Sequence, residues 1–95
     1  MAAYLVVEVT QGSDPGDMVD YAAKVPELVV RYGGRWLANG PPTVLEGDHR
    51  AERLLIVEFD SMEQAQAAYD SDEYAPLKAQ RQRSGASTFF LVAGV

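Results

Sequence analysis

Hydrophobic positions along this chain follow two periods, and the switches between them mark its elements. Ala3 to Val9 (AYLVVEV) is apolar at both parities, with Leu5, Val7 and Val9 on one face and Tyr4 and Val6, closed by Glu8, on the other. That pattern predicts a strand buried on both sides. After a polar turn from Thr10 to Ser13, Asp14-Pro15 puts a carboxylate at a helix N-cap and proline at the first helical position. Met18, Tyr21, Ala22, Val25, Leu28, Val29 and Tyr32 then recur at steps of three and four, predicting one long amphipathic helix closed by Gly33-Gly34. Pro26 lies inside it, where the missing N–H and the ring clash predict a kink or restart near Val25.

Arg35 to Ala38 (RWLA) reads as a second strand, confined to a sheet edge by Asn39-Gly40-Pro41-Pro42 because proline cannot donate to a ladder. Thr43 to Glu46 is expected to continue it, with Gly47-Asp48-His49-Arg50 as a hairpin-type connection. Arg53 to Phe59 (RLLIVEF) is a branched and aromatic run that predicts a buried strand. Asp60-Ser61 breaks it, and Ser61 with Gln64 has the spacing of a capping box. Met62, Ala65, Ala68 and Tyr69 give the ensuing helix one face to bury. Asp70-Ser71 offers a cap for a short third helix carrying Tyr74, Leu77, Lys78 and Arg81 on one side, with Pro76 near its first turn. Ser84-Gly85 closes that helix, and Thr88 to Ala93 (TFFLVA) is the last strand.

The order β-α-β-β-α-β, with a short extra helix, predicts an α+β, ferredoxin-like fold with a four-stranded antiparallel sheet. Right-handed crossovers put both main helices on one side, and the first and third strands are expected to be central and parallel. The helices cover only one sheet face, yet both parities of the strands are apolar. Leaving the second face wet would cost roughly 1.5–3 kcal/mol for each large side chain. The simplest cover is a second copy, sheet against sheet across a two-fold axis, giving a homodimer. Shielding by flanking loops or the third helix within one chain is the alternative.

Composition narrows the function. Ninety-five residues make one domain over 1–95. Cysteine is absent, which excludes disulfides, thiolate catalysis and zinc-thiolate sites. His49 is the single histidine and lies in a polar turn, a poor basis for a transition metal or haem, so no metal and no cofactor is expected. Fourteen acidic against eight scattered basic residues give a net charge of −6, which argues against nucleic acid and anionic membrane surfaces as partners. The N-terminal MAAYLVVEV lacks a basic n-region and a cleavage site, and its apolar run is too short to span a bilayer. It reads as a strand of a cytoplasmic protein.

Two constellations carry candidate chemistry. Glu8 and Glu58 each lie near the end of a central strand. On a shared face they would form a carboxylate pair, with one pKa raised for proton transfer. Alternatively, Glu58 pairs with an arginine such as Arg35 or Arg53 while Glu8 reaches solvent. Arg35, Trp36, Tyr69, Tyr74 and Arg81 are the ligand-binding candidates. They would line a cleft between sheet and helices with aromatic walls and a guanidinium for an anionic or enolic oxygen. Tyrosines at helical spacing also serve as core residues with a solvated hydroxyl. Ser71 reads as an N-cap rather than a nucleophile.

GGRWLANG (Gly33 to Gly40), VLEGDHR (Val44 to Arg50), LLIVEFDSMEQAQAAYDSDEY (Leu54 to Tyr74), the earlier VPELVVRYGGR and the later Arg81 together resemble the domain-of-unknown-function 1330 family. The resemblance runs nearly end to end. It implies membership of the dimeric α+β barrel superfamily, hence a ferredoxin-like protomer paired through its sheet. That superfamily includes cofactor-independent monooxygenases, muconolactone isomerases, chlorite dismutase-like and haem-degrading proteins, and proteins without demonstrated activity. Two functions follow as expectations. One is a protein that binds a compact enolic or aromatic metabolite, with proton transfer or cofactor-free oxidation, Glu58 as base, and Arg35 or Arg81 steadying negative charge. The other is a non-enzymatic dimeric structural or accessory protein.

Overall fold

The predicted order is observed: β1 (Ala3–Gln11), α1 (Val19–Arg31), β2 (Arg35–Gly40), β3 (Arg53–Phe59), α2 (Met62–Tyr69), α3 (Ala75–Ser84) and β4 (Ala86–Ala93). The computed structural model of the chain describes residues 1–11, 16 and 19–95. The Asp14-Pro15 helix start, Met18 and the Gly12-Ser13 part of the first turn lie outside the described residues.

The strands form one sheet in the order β2-β3-β1-β4, with each neighbouring pair antiparallel. The central strands β1 and β3 are therefore antiparallel, which corrects the parallel pairing expected from the sequence. The crossover through α1 brings β2 back parallel to β1 but leaves a gap one strand wide between them. β3 fills that gap after the chain reverses, so it opposes both neighbours.

Residues directly opposite in an antiparallel pair share a face. Leu5 opposite Val57 and Leu91, and Val7 opposite Leu55 and Phe89, belong to the helix-covered face. Val57 and Phe59 are its deepest large side chains, packed with Val25, Leu28 and Val29 of α1, Ala65 and Ala68 of α2, and Tyr74 and Leu77. Tyr4, Val6, Leu54, Ile56, Phe90 and Val92 occupy the other face, which no helix among the described residues covers. Phe90 and Val92 are each more than half exposed there.

Local chemistry fixes the element ends. Gly33 has φ +86°, and Gly33 N donates to Val30 O while Gly34 N donates to Val29 O, the paired bonds of a Schellman cap on α1. α1 runs unbroken through Pro26, so no restart occurs; the helical acceptor left without its usual donor is the carbonyl of Ala22. Ser61 Oγ accepts from Gln64 N at 3.1 Å, half of the capping box. The Gln64 amide forgoes the other half and donates to Tyr32 O at 2.7 Å, tying α2 to the end of α1. Ser71 Oγ accepts from Tyr74 N at 3.2 Å and donates to Ala68 O at 2.9 Å, so it caps the turn that precedes α3.

The expected strand over Thr43 to Glu46 does not form. Pro41-Pro42 remove two successive ladder donors, and the chain from 41 to 52 carries no strand. Within β2, Trp36 opposes Val57 while Ala38 opposes Ile56, so Leu37 is an extra residue in a bulge. That bulge turns both Trp36 and Asn39 toward the helices.

Candidate functional site

A cleft of about 450 Å³ lies between the helix-covered sheet face and α1, α2 and α3. Its walls are apolar, from Leu5, Val7, Leu55, Val57 and Phe59 on the sheet to Val25, Ala65 and Ala68 on the helices. Aromatic rings form one side in series: Tyr21 to Tyr74 at 6.1 Å between centroids, Tyr74 to Tyr69 at 5.7 Å, and Tyr69 to Phe89 at 5.7 Å. All are tilted, the arrangement that ring quadrupoles favour.

Polar groups in the cleft are few and fixed. The Tyr21 and Tyr74 hydroxyls share a hydrogen bond of 2.8 Å. Burial, then the neighbouring Tyr74, pushes the Tyr21 phenol far above its ordinary value, and Arg81 opposes the shift only in part. Tyr21 is therefore a neutral phenol across the physiological range. Arg81 lies with its guanidinium carbon 4.1 Å from the Phe89 ring centroid and donates from Nη1 to Ser87 Oγ at 2.7 Å. Its Nε is buried with no acceptor among the described residues. Across the sheet, Arg53 Nη1 donates to Asn39 Oδ1 at 2.6 Å, and both residues line the cleft.

Of the residues singled out from the sequence, Trp36, Tyr69, Tyr74 and Arg81 converge on this cleft. Arg35 and Glu58 do not. They oppose one another in register on the uncovered face, where Arg35 Nε donates to Glu58 Oε1 at 2.9 Å and Arg35 Nη2 to Asp60 Oδ1 at 2.9 Å. Tyr4 Oη donates to Glu58 Oε2 at 3.0 Å. The bond from Arg35, followed by that from Tyr4, holds the Glu58 carboxyl below the usual carboxylate range. Tyr4 is correspondingly raised, chiefly by its bond to Glu58.

Glu8 does share the uncovered face with Glu58, but it lies opposite Leu54, at the far end of the sheet. Four residues at about 3.3 Å each separate the two carboxylates by roughly 13 Å along the strands, too far to share a proton. Glu8 Oε1 instead lies 2.7 Å from His49 Nε2.

Sequence reasoning missed Tyr21, Asn39, Arg53 and Ser87 as cleft residues. A signal existed for Arg53, which has the parity of Leu55, Val57 and Phe59 and so heads the helix-facing row. Tyr21 passed as one more apolar position of α1, although a buried phenol requires a partner for its hydroxyl. Among the described residues no cluster of three or more His, Asp or Glu side chains could hold a metal ion, and no helix is long and apolar enough to cross a membrane.

The sheet order, the register and the helix layer define a ferredoxin-like protein. The chain belongs to the family described as Domain of unknown function (DUF1330), whose model matches residues 2–95. No curated protein matches the sequence. Solved structures agree on the fold at low identity. A protein of unknown function from Rhodopseudomonas palustris matches with a TM-score of 0.78 at 15% identity, covering 99% of this chain and 82% of that one. A dimeric ferredoxin-like protein of unknown function from Jannaschia sp. matches with a TM-score of 0.73 at 11% identity, covering 99% and 100%. SnoaB, a cofactor-independent oxygenase from Streptomyces nogalater, matches with a TM-score of 0.68 at 14% identity, covering 99% and 93%.

Proposed function

We propose that this protein binds a compact aromatic or enolic metabolite in the cleft between its sheet and helices, and that its chemistry, where a reaction follows, is proton transfer or oxidation without a bound cofactor. The observation that carries this reading is the cleft itself. Protein interiors are ordinarily filled to crystal-like density, whereas here about 450 Å³ stays open against apolar and aromatic walls with a few placed polar groups. The hydrogen-bonded Tyr21 and Tyr74 hydroxyls leave one O–H free to donate to an enolic oxygen, and Arg81 can steady charge that develops on it. Such a set stabilises an enolate better than it generates one. Glu58, assigned as base from the sequence, faces away from the cleft, so its carboxylate would act only on something bound at the uncovered face. The likeness to a cofactor-independent oxygenase supports the oxidative branch at the level of fold.

The test uses N-phenyl-1-naphthylamine, an uncharged aromatic probe, with methyl resonances as the readout. Saturable shifts at Val7 and Leu55, inside the cleft, are expected, with Ile56 and Val92 on the other face unmoved. Shifts confined to Ile56 and Val92, or none at all, would reject the reading.

The uncovered face carries a second reading, a homodimer joined sheet to sheet, in which a non-enzymatic structural or accessory role would need no ligand. Phe90, Val92 and their half-buried neighbours form an apolar patch of the kind that marks a partner. The dimeric ferredoxin-like protein from Jannaschia sp. supports self-association of this fold. Pairing leaves the cleft free, because it lies on the opposite side of the sheet.

A further inference from the structure

We infer that the cleft selects a flat apolar carboxylic acid and holds it in one orientation, with the carboxylate at a mouth built from Arg53 and Arg81 and the ring system pointing inward. This rests on the cleft being a ligand site, and it adds the charge and direction of the ligand.

The sheet register grades the cleft from polar to apolar. At one end Arg53, Val9 and Ser87 lie in a single row across β3, β1 and β4. The next row brings Asn39, Leu55, Val7 and Phe89. Beyond it come Trp36 and Val57, and then Phe59, with Val57 and Phe59 each only 1% exposed. A ligand with one ionised end therefore has one favourable way to enter.

Both arginines are held without being neutralised. Arg53 is braced by the Asn39 amide oxygen, and Arg81 by the Ser87 hydroxyl and the Phe89 ring. Among the other arginines, Arg31 pairs with Glu73 and Arg35 with Glu58 and Asp60, while Arg50 and Arg83 are exposed and have no carboxylate among the described residues. Among the described residues no carboxylate pairs with Arg53 or Arg81, and the buried Nε of Arg81 still has a donor to give. A buried donor left unmade is costly, and a carboxylate accepts from guanidinium groups more strongly than any neutral acceptor. Arg53 and Ser87, which anchors Arg81, are two strand spacings apart, about 10 Å between backbones, a gap that two arginine side chains can close around one carboxylate.

The experiment compares 2-naphthoate with its uncharged counterpart 2-naphthalenemethanol near neutral pH, following the Val7 and Leu55 methyls. The carboxylate is expected to bind roughly tenfold tighter or better, since each charge-assisted bond is worth at least about that factor. Raising the salt to about 0.5 M should erode that preference and leave the alcohol unaffected. Arg53→Gln, at an exposed position that the core does not need, should cut the preference several-fold; Arg81→Gln should do the same, and Arg81→Lys should restore part of it. Equal affinity for the two probes, or an undiminished preference in Arg53→Gln, would overturn the inference while leaving the cleft as a ligand site. Failure of both probes to move the inner methyls would remove the cleft reading and this inference with it.

Discussion

Glu58 shows how much a single side chain depends on which way its strand faces. In the cleft it would be a partly desolvated base. On the uncovered face it accepts from Arg35 and Tyr4, and those bonds hold its carboxyl below the usual carboxylate range. A lowered folded-state pKa means that the native protein binds this proton less readily than the unfolded chain. The resulting stabilisation is present above the unfolded value and is lost as pH falls through the folded one. Wild type should therefore exceed Glu58→Gln in urea midpoint at neutral pH, and the two midpoints should converge as pH drops below about 4. A gap that is constant with pH would mean that the Arg35 and Tyr4 bonds do not favour the ionised form.

At the scale of elements, the contact that orders the helix layer is a glycine meeting an amide. Gly33 supplies the positive φ that ends α1, and a Cβ there would collide with Nε2 of Gln64, the group that binds α2 to Tyr32 O. Gly33→Ala is expected to cost about 1–3 kcal/mol in urea unfolding, from backbone strain and the collision together. In the double variant with Gln64→Ala the two effects should sum to less than their separate values, because the second removes the atom that the first meets. Strict additivity would show that the collision is not felt.

The elements were legible because their boundaries are written in local chemistry: Gly33-Gly34, Ser61 and Pro41-Pro42 each act within a few residues. The site was legible only in part, for a reason of the same kind. Residues 54 to 57 are apolar at both parities, so alternation could not say which parity faces the helices. Arg35 was expected in the cleft on the helix side and lies on the other, where it pairs with Glu58 as one of the two sequence readings of that carboxylate had it. Trp36 and Asn39, three apart, share a face only because Leu37 is bulged, an extra residue with no sequence mark. Tyr69, Tyr74 and Arg81 were legible because helical spacing assigns a face without that ambiguity.

For the whole molecule, the uncovered sheet face makes the concentration dependence of its mass the decisive measurement. Sedimentation at micromolar concentration should give a dimer for wild type and a monomer for Phe90→Lys combined with Val92→Lys, since two buried charges without partners oppose association. A wild-type monomer throughout the concentration range would remove the dimer. The paired lysines should leave the N-phenyl-1-naphthylamine shifts at Val7 and Leu55 in place, provided the doubly substituted chain stays folded as a monomer.

In β1, neighbouring side chains look into different compartments: Leu5, Val7 and Val9 into the cleft, Tyr4, Val6 and Glu8 to the opposite side. Inserting or deleting one residue there would exchange the two sets at a stroke, so that no single repair could recover either surface. Length variation among natural versions of this chain should accordingly gather between residues 41 and 52, where no strand constrains the count.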